Sequence, residues 1–201
     1  MNTDLTLNTL CGEQLLPVLD AVAQLRIEVF HDWPYLYQGH LDYERHYLAA
    51  YAATADAICV IAQVNGKIVG ASTGLPLSDD GPAFQQPFIQ AGIDPAQVFY
   101  FGESVLLPAY RGRGIGHAFF DKRENYARAL GRFRLTAFCS VDRANNDPRR
   151  PPGYRANDVF WRKRGYTCQP DMRMALDWEE IGRGNLSHRL TFWTRTLQKT
   201  Q

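Results

Sequence analysis

Charge of a single sign is missing from this chain. Its 22 lysines and arginines face 21 acidic residues, for a formal net charge of +1. No global field therefore points to nucleic acid or a membrane surface, and no clustered Lys-Arg stripe appears either. No apolar run approaches the roughly 20 residues that cross a bilayer as a helix. The N-terminus, MNTDLTLNTL, has no basic region and no long apolar region, so no secretory signal is visible and a cytoplasmic location is expected. Cysteine is scarce: Cys11, Cys59, Cys139 and Cys168 are scattered and form no C-x-x-C pair. Three of them sit in apolar runs, as buried thiols in a reducing compartment do. The five histidines show neither metal-ligand spacing with cysteine nor a HExxH pattern, so no metal is expected. Repeats and low-complexity tracts are absent too. What remains is ordinary: 45% hydrophobic and 21% charged residues over 201 positions suit one domain, 1–201, with a substantial core.

The informative stretch is Val98 to Gly131. Val98 to Leu107 is rich in β-branched, aromatic and leucine residues and reads as one buried strand holding a single carboxylate, Glu103. Pro108 ends it, because proline offers no backbone donor to a ladder. The turn Arg111-Gly112-Arg113-Gly114-Ile115-Gly116 follows, then a helix. Ile115, Phe119, Tyr126 and Leu130 share one face of that helix, with His117, Asp121, Glu124 and Arg128 opposite. Gly131 is placed to close it. Three glycines at the mouth of a helix let the backbone approach a ligand, and the first helical N–H groups lack intrahelical partners. Those donors and the positive end of the helix dipole make an anion site, and Arg111 and Arg113 suit a phosphate or pyrophosphate. A turn that merely packs helix against sheet has the same composition. The spacing is G-x-G-x-G, so it fits neither the dinucleotide fingerprint G-x-G-x-x-G nor a phosphate loop ending in G-K-[ST].

Around this stretch the coarse pattern is mixed. Leu5 and Leu7 suggest a first strand; helical spacing covers Leu16 to Phe30 and Tyr43 to Ala55. Ala57 to Val64 and Lys67 to Leu75 flank Asn65-Gly66, a strong hairpin signal because a type I′ turn needs φ > 0 at both central residues. Ser78 to Gln97 is a long connection with a helical turn hinted by Phe84, Phe88 and Ile89, either a lid or an insertion. Arg134 to Val141 reads as a strand and Tyr154 to Gly165 as a helix. Met172 to Trp178 and Arg189 to Leu197 then read as two final strands.

Leu107-Pro108-Ala109-Tyr110-Arg111-Gly112-Arg113-Gly114-Ile115-Gly116 resembles the acetyl-CoA signature of the GNAT superfamily of N-acetyltransferases. That signature is Gln or Arg, two residues, Gly, one residue, then Gly or Ala, and Arg111, Gly114 and Gly116 fill it. Phe160 to Tyr166 is similar to the family's closing helix with its Gly-aromatic end. The resemblance spans about Ala57 to Thr167. It implies an α/β (α+β) fold: a mixed, mostly antiparallel sheet of about seven strands, splayed at its centre and flanked by about four helices. It also implies acetyl-CoA as acyl donor, held by main-chain atoms of Ser104, Val105 and Leu106 and by Arg111, Gly112, Arg113, Gly114, Ile115 and Gly116. The acceptor would be a small-molecule or peptide amine that attacks directly in a ternary complex. Neither nucleic acid nor membrane is expected as a partner, and a homodimer stays open.

Glu103 is the candidate base, since a carboxylate in an apolar strand needs a partner or a proton; a structural carboxylate capped by arginine or tyrosine is the other reading. Many relatives carry a tyrosine directly after the aromatic that Phe160 represents, where it protonates the departing thiolate. This chain has Trp161, whose indole is a donor but no practical acid. Tyr154 or water is left for that role, or the thiolate leaves unaided. Trp33, Tyr35 and Tyr37 stand where the resemblance places the acceptor site, though ordinary core packing also uses such residues. Phe84 and Phe88 would add to an aromatic pocket, and Asp79 and Asp80 could meet a cationic amine. An inactive acyl-CoA sensor on the same fold is the alternative to an enzyme.

Overall fold

The computed structural model describes residues 5–197. The strands are β1 (Leu5–Leu10), β2 (Ile58–Val64), β3 (Lys67–Pro76), β4 (Val98–Tyr100), β5 (Ser104–Leu106), β6 (Leu135–Val141), β7 (Thr167–Glu180) and β8 (Gly184–Thr196). The α-helices are α1 (Leu19–Phe30), α2 (Leu41–Ala53), α3 (Pro82–Gln90), α4 (Ile115–Ala129) and α5 (Asp158–Lys163). The sheet runs β1-β2-β3-β4-β6-β8-β7, with β5 pairing β3 to one side of that path. Among the described strand pairs, only β4–β6 is parallel.

β2 and β3 are buried along nearly their whole length instead of alternating, because helices cover both faces. Val22, Leu48 and Phe88 of α1, α2 and α3 pack on one face with Cys59 and Ile61. Ile115, Phe119 and Phe120 of α4 pack on the other with Ile58 and Val60. The β2–β3 hairpin turns at Asn65 and Gly66, both at positive φ, as the dipeptide predicts.

Val98 to Leu107 departs from its reading as one strand. It breaks at Phe101-Gly102-Glu103, and the break divides the sheet. β4 pairs β3 at Leu75 and Pro76 and lies parallel to β6; β5 pairs β3 at Gly70–Ser72. The Phe101 N–H still bonds to the Ala137 carbonyl at 2.8 Å, after which β5 diverges from β6. Glycine is required at the break: a Cβ on Gly102 would lie 2.2 Å from Tyr51 Oη and 2.7 Å from Thr73 Oγ1.

One expected helix is shortened and other segments gain detail. On the polar face of α4, His117 and Asp121 are exposed, while Glu124 is buried under Arg164, Arg195 and Tyr166. The expected helix from Tyr154 is confined to α5, which leaves Tyr154 in the preceding turn-rich segment. The long connection after β3 holds α3, with Phe88 buried in the core and Phe84 packed against Tyr100.

Candidate active site

The divergence of β5 from β6 opens a cleft of about 1120 Å³ that reaches from the glycine loop to the segment after α1. Its floor is the free inner edge of β5. The Leu107 N–H bonds to Val69 O and the Thr73 N–H to Glu103 O. Alternate residues of an antiparallel ladder turn their amides away from the partner strand. Ser104 and Leu106 therefore face the cleft, and Val105, fully buried opposite Ala71, does not line it.

At one end stands the glycine loop. Gly112 (φ 75°) and Gly114 (φ 82°) take the left-handed conformation, and a Cβ at either would meet no atom, so the demand for glycine there is conformational. Gly114 caps α4 with no side-chain hydrogen bond, leaving the N–H groups of Ile115, Gly116 and His117 without helical partners. Ile115 adds only its amide, since its side chain is core. Arg111 Nε donates to Leu106 O at 3.1 Å and ties the loop to the β5 edge; Arg113 lies over the Tyr110 ring at 5.4 Å.

Glu103 sits at the break, 8% exposed and lining the cleft. Its Oε1 lies 2.6 Å from Arg26 Nη1, an ion pair without hydrogen-bond alignment, and its Oε2 accepts from Tyr47 Oη at 2.9 Å. Arg26 also pairs with the buried Glu44. Burial opposes the Arg26 charge, yet the neighbouring Glu103, Tyr47 and Glu44 raise its pKa well above the ordinary value. Burial and the Glu103 charge push the Tyr47 phenol up as well.

The far wall is aromatic and basic. Trp33 and Tyr35 line the cleft, and Tyr154 meets Trp33 edge-on at 6.2 Å between centroids. Burial raises the Tyr154 phenol against the opposing charges of Arg150 and Arg111. Tyr37 is not brought here; it bridges to Glu180 behind the wall. Phe84, Phe88, Asp79 and Asp80 also lie outside the cleft lining, and burial lifts Asp80 to about 6. Trp161 packs its ring on Phe138 and Trp193. Cys139 faces Tyr100 Oη at 3.0 Å, and burial pushes its thiol up to about 12, so it is no nucleophile at neutral pH.

Three groups escaped the sequence reading. Glu180, fully buried, receives Arg143 and Arg149, and Arg143 also donates to Pro34 O and Tyr35 O, which clamps the wall. Arg26 supplies the Glu103 partner from α1. Arg123 of α4 reaches the break itself. Only the mid-helix position of both arginines on apolar faces hinted at them. Among the described residues, no group of three or more His, Cys, Asp or Glu is placed to hold a metal ion. No described helix is long and apolar enough to cross a membrane.

No curated protein matches the chain. Among solved structures it is similar to an N-acetyltransferase from Staphylococcus aureus Mu50 (15% identity, TM-score 0.61, covering 96% of this chain and 99% of that one). It is also similar to a ribosomal-protein-alanine N-acetyltransferase from Brucella melitensis (13%, TM-score 0.63, 96% and 99%). A third is Arabidopsis thaliana NAA60 in complex with acetyl-CoA (13%, TM-score 0.61, 96% and 98%). At such identities the likeness is one of fold. The model of the acetyltransferase (GNAT) family matches residues 23–150, well over half the chain and spanning the broken strand and the glycine loop, and the chain belongs to that family.

Proposed function

We propose that this protein transfers an acetyl group from acetyl-CoA to a primary amine of a small molecule or peptide, by direct attack in a ternary complex. The observation that carries this reading is the continuity of unpaired main-chain donors. The Ser104 and Leu106 edge of β5 runs into the open amides of Ile115, Gly116 and His117. A pantetheine arm offers amides to such an edge, and a diphosphate suits a helix N-terminus opened by left-handed glycines. Arg111, Gly112, Arg113, Gly114, Ile115 and Gly116 would hold the diphosphate, and Ser104 and Leu106 the arm. Val105 keeps β5 on β3. The acetyl-CoA complex of the Arabidopsis neighbour supports the same ligand.

The donor supplies an activated acyl carbon; the remaining work falls to the chain. Trp33 and Tyr35 form the acceptor wall, held by Arg143. Glu103 takes the amine proton at the break, where its carboxylate is the acid group nearest the divergence of the strands. Tyr154, lining the same cleft, is the candidate donor of a proton to the leaving sulfur. Orientation of two bound reactants is worth on the order of 7–11 kcal/mol and a positioned base roughly 10²–10⁴-fold.

The second reading, an acyl-CoA sensor without turnover, is favoured by one observation: both Glu103 oxygens already have partners, Arg26 and Tyr47. A free-thiol release assay with acetyl-CoA over an amine panel separates the two. Turnover with Glu103→Gln reduced roughly 10²–10⁴-fold at unchanged acetyl-CoA affinity supports the base role. Tight acetyl-CoA binding with no amine consumed supports the sensor.

A further inference from the structure

Arg123 stands apart from the buried Arg26 and the half-buried Arg143. Arg26 meets Glu103 and Glu44, and Arg143 meets Glu180. Arg123 is 1% exposed, and its hydrogen-bond partners are all neutral oxygens. Nε donates to Phe119 O at 3.3 Å, Nη1 to Thr73 O at 3.0 Å and Glu103 O at 3.2 Å, and Nη2 to Ser104 Oγ at 2.9 Å. Four of its five N–H donors are thereby engaged; the fifth, on Nη2, has no partner among the described residues. The guanidinium lies 4.0 Å from the Phe101 ring centroid and 5.0 Å from that of Phe120, and it lines the cleft. Burial brings its pKa down to about 10 against the raising charges of Tyr166, Glu103 and Glu124, which leaves it cationic at neutral pH. None of its hydrogen bonds goes to a carboxylate, and a buried cation compensated only through space is stabilised when an anion arrives beside it.

We infer that Arg123 is a catalytic residue whose counter-ion is the CoA thiolate, formed beside Ser104 where β5 leaves β6. This rests on the acetyl-transfer reading above. In the step concerned, the amine nitrogen bonds to the acyl carbon and the carbon–sulfur bond breaks, its electron pair leaving on sulfur. The amine proton passes to Glu103. The sulfur carries its negative charge opposite Arg123 until Tyr154 or water protonates it. The arrangement suits a site where the position of the usual acid is occupied by Trp161, whose ring is committed to Phe138 and Trp193. A fixed cation lowers the energy of the departing anion in a water-poor site without any proton transfer.

The test is titration of the thiol of bound CoA by its ultraviolet thiolate absorbance, in the wild-type protein, Arg123→Lys and Arg123→Met, with binding verified by calorimetry. A free thiol titrates near about 8.5; bound to the wild type it is expected about one unit lower, giving about tenfold more thiolate at neutral pH. Arg123→Lys retains part of the shift and Arg123→Met loses it, while kcat falls with the shift and the acceptor KM stays put. If Arg123→Met does not fold, the wild-type titration decides alone. CoA bound with an unshifted thiol overturns the inference and leaves the acetyltransferase reading intact. Failure of CoA to bind the wild-type protein overturns that reading itself.

Discussion

Replacing Glu180 by glutamine tests the clamp that holds the aromatic wall of the cleft through Arg143. Glu180 is wholly buried at the end of β7, with Arg143 Nη1 2.6 Å from Oε2, Arg149 on Oε1 and Arg183 Nη1 3.2 Å from Oε1. Removing one partner from a buried ion pair destabilises by about 3–5 kcal/mol. Arg149 is 31% exposed on its side chain, so solvent compensates part of that and the lower end applies. For a chain of this size about 3 kcal/mol lowers Tm by about 6–12 °C. The pH dependence has a defined sign. Burial alone would raise the Glu180 pKa, but the hydrogen bonds from Arg149 and Arg143 hold it below the ordinary glutamate value. A depressed folded pKa stabilises above the unfolded value, near about 4.3, and that contribution is lost as pH falls through the folded pKa. Urea unfolding of wild type and Glu180→Gln should therefore differ most at neutral pH and converge on acidification below pH ~4. A gap that stays constant with pH, or one under about 1 kcal/mol at neutral pH, refutes the account of Glu180 as the clamp.

Gly102→Ala should destabilise by about 1–3 kcal/mol in thermal denaturation, since its Cβ would enter the space of Tyr51 Oη; an unchanged Tm denies that close packing sets the break. In Gly114→Ala the added methyl meets nothing, so the penalty is the left-handed backbone alone, about 1–2 kcal/mol, and calorimetry should show weaker CoA binding. Burial pushes the Cys59 and Cys139 thiols each up to about 12. Alkylation of the native protein at mildly alkaline pH should spare Cys59, with modification appearing only in urea; rapid native labelling of Cys59 would show a thiolate that burial does not allow.

Local chemistry announced much of the fold. Asn65-Gly66 specified its hairpin because the turn's backbone demand is met by those two residues alone. The glycine loop likewise declared a helix mouth, because left-handed angles at Gly112 and Gly114 exclude most other side chains. The break at Gly102 was not legible, since φ at that residue is unremarkable and the demand for glycine comes from Tyr51 and Thr73, distant in sequence. The burial of Glu124 was hidden for a related reason: only the arrival of Arg164 and Arg195 from later segments makes it tolerable. The same holds for Glu103, whose partners Arg26 and Tyr47 lie on α1 and α2. The family resemblance, not aromatic composition, pointed Trp33 and Tyr35 to the cleft, and it could not exclude Tyr37, because which neighbour of a bend turns inward depends on the bridge to Glu180.

Hydrogen-bonded continuity from β1 to β7 passes through a single short crossing. Among the described strands, the half made of β1, β2, β3 and β5 joins the half made of β6, β8 and β7 by way of β4, whose ladder to β6 is extended by the Phe101 N–H bond to Ala137 O. Side-chain packing supplies the rest of the cohesion, since Ala71, Leu75 and Val105 share one buried cluster with Ala137, Leu190 and Phe192. A strand-like guest bridging the gap between β5 and β6 would lock the joint. Slower amide exchange on filling should then appear at β4 and its neighbours in β3 and β6, well away from any atom the guest touches.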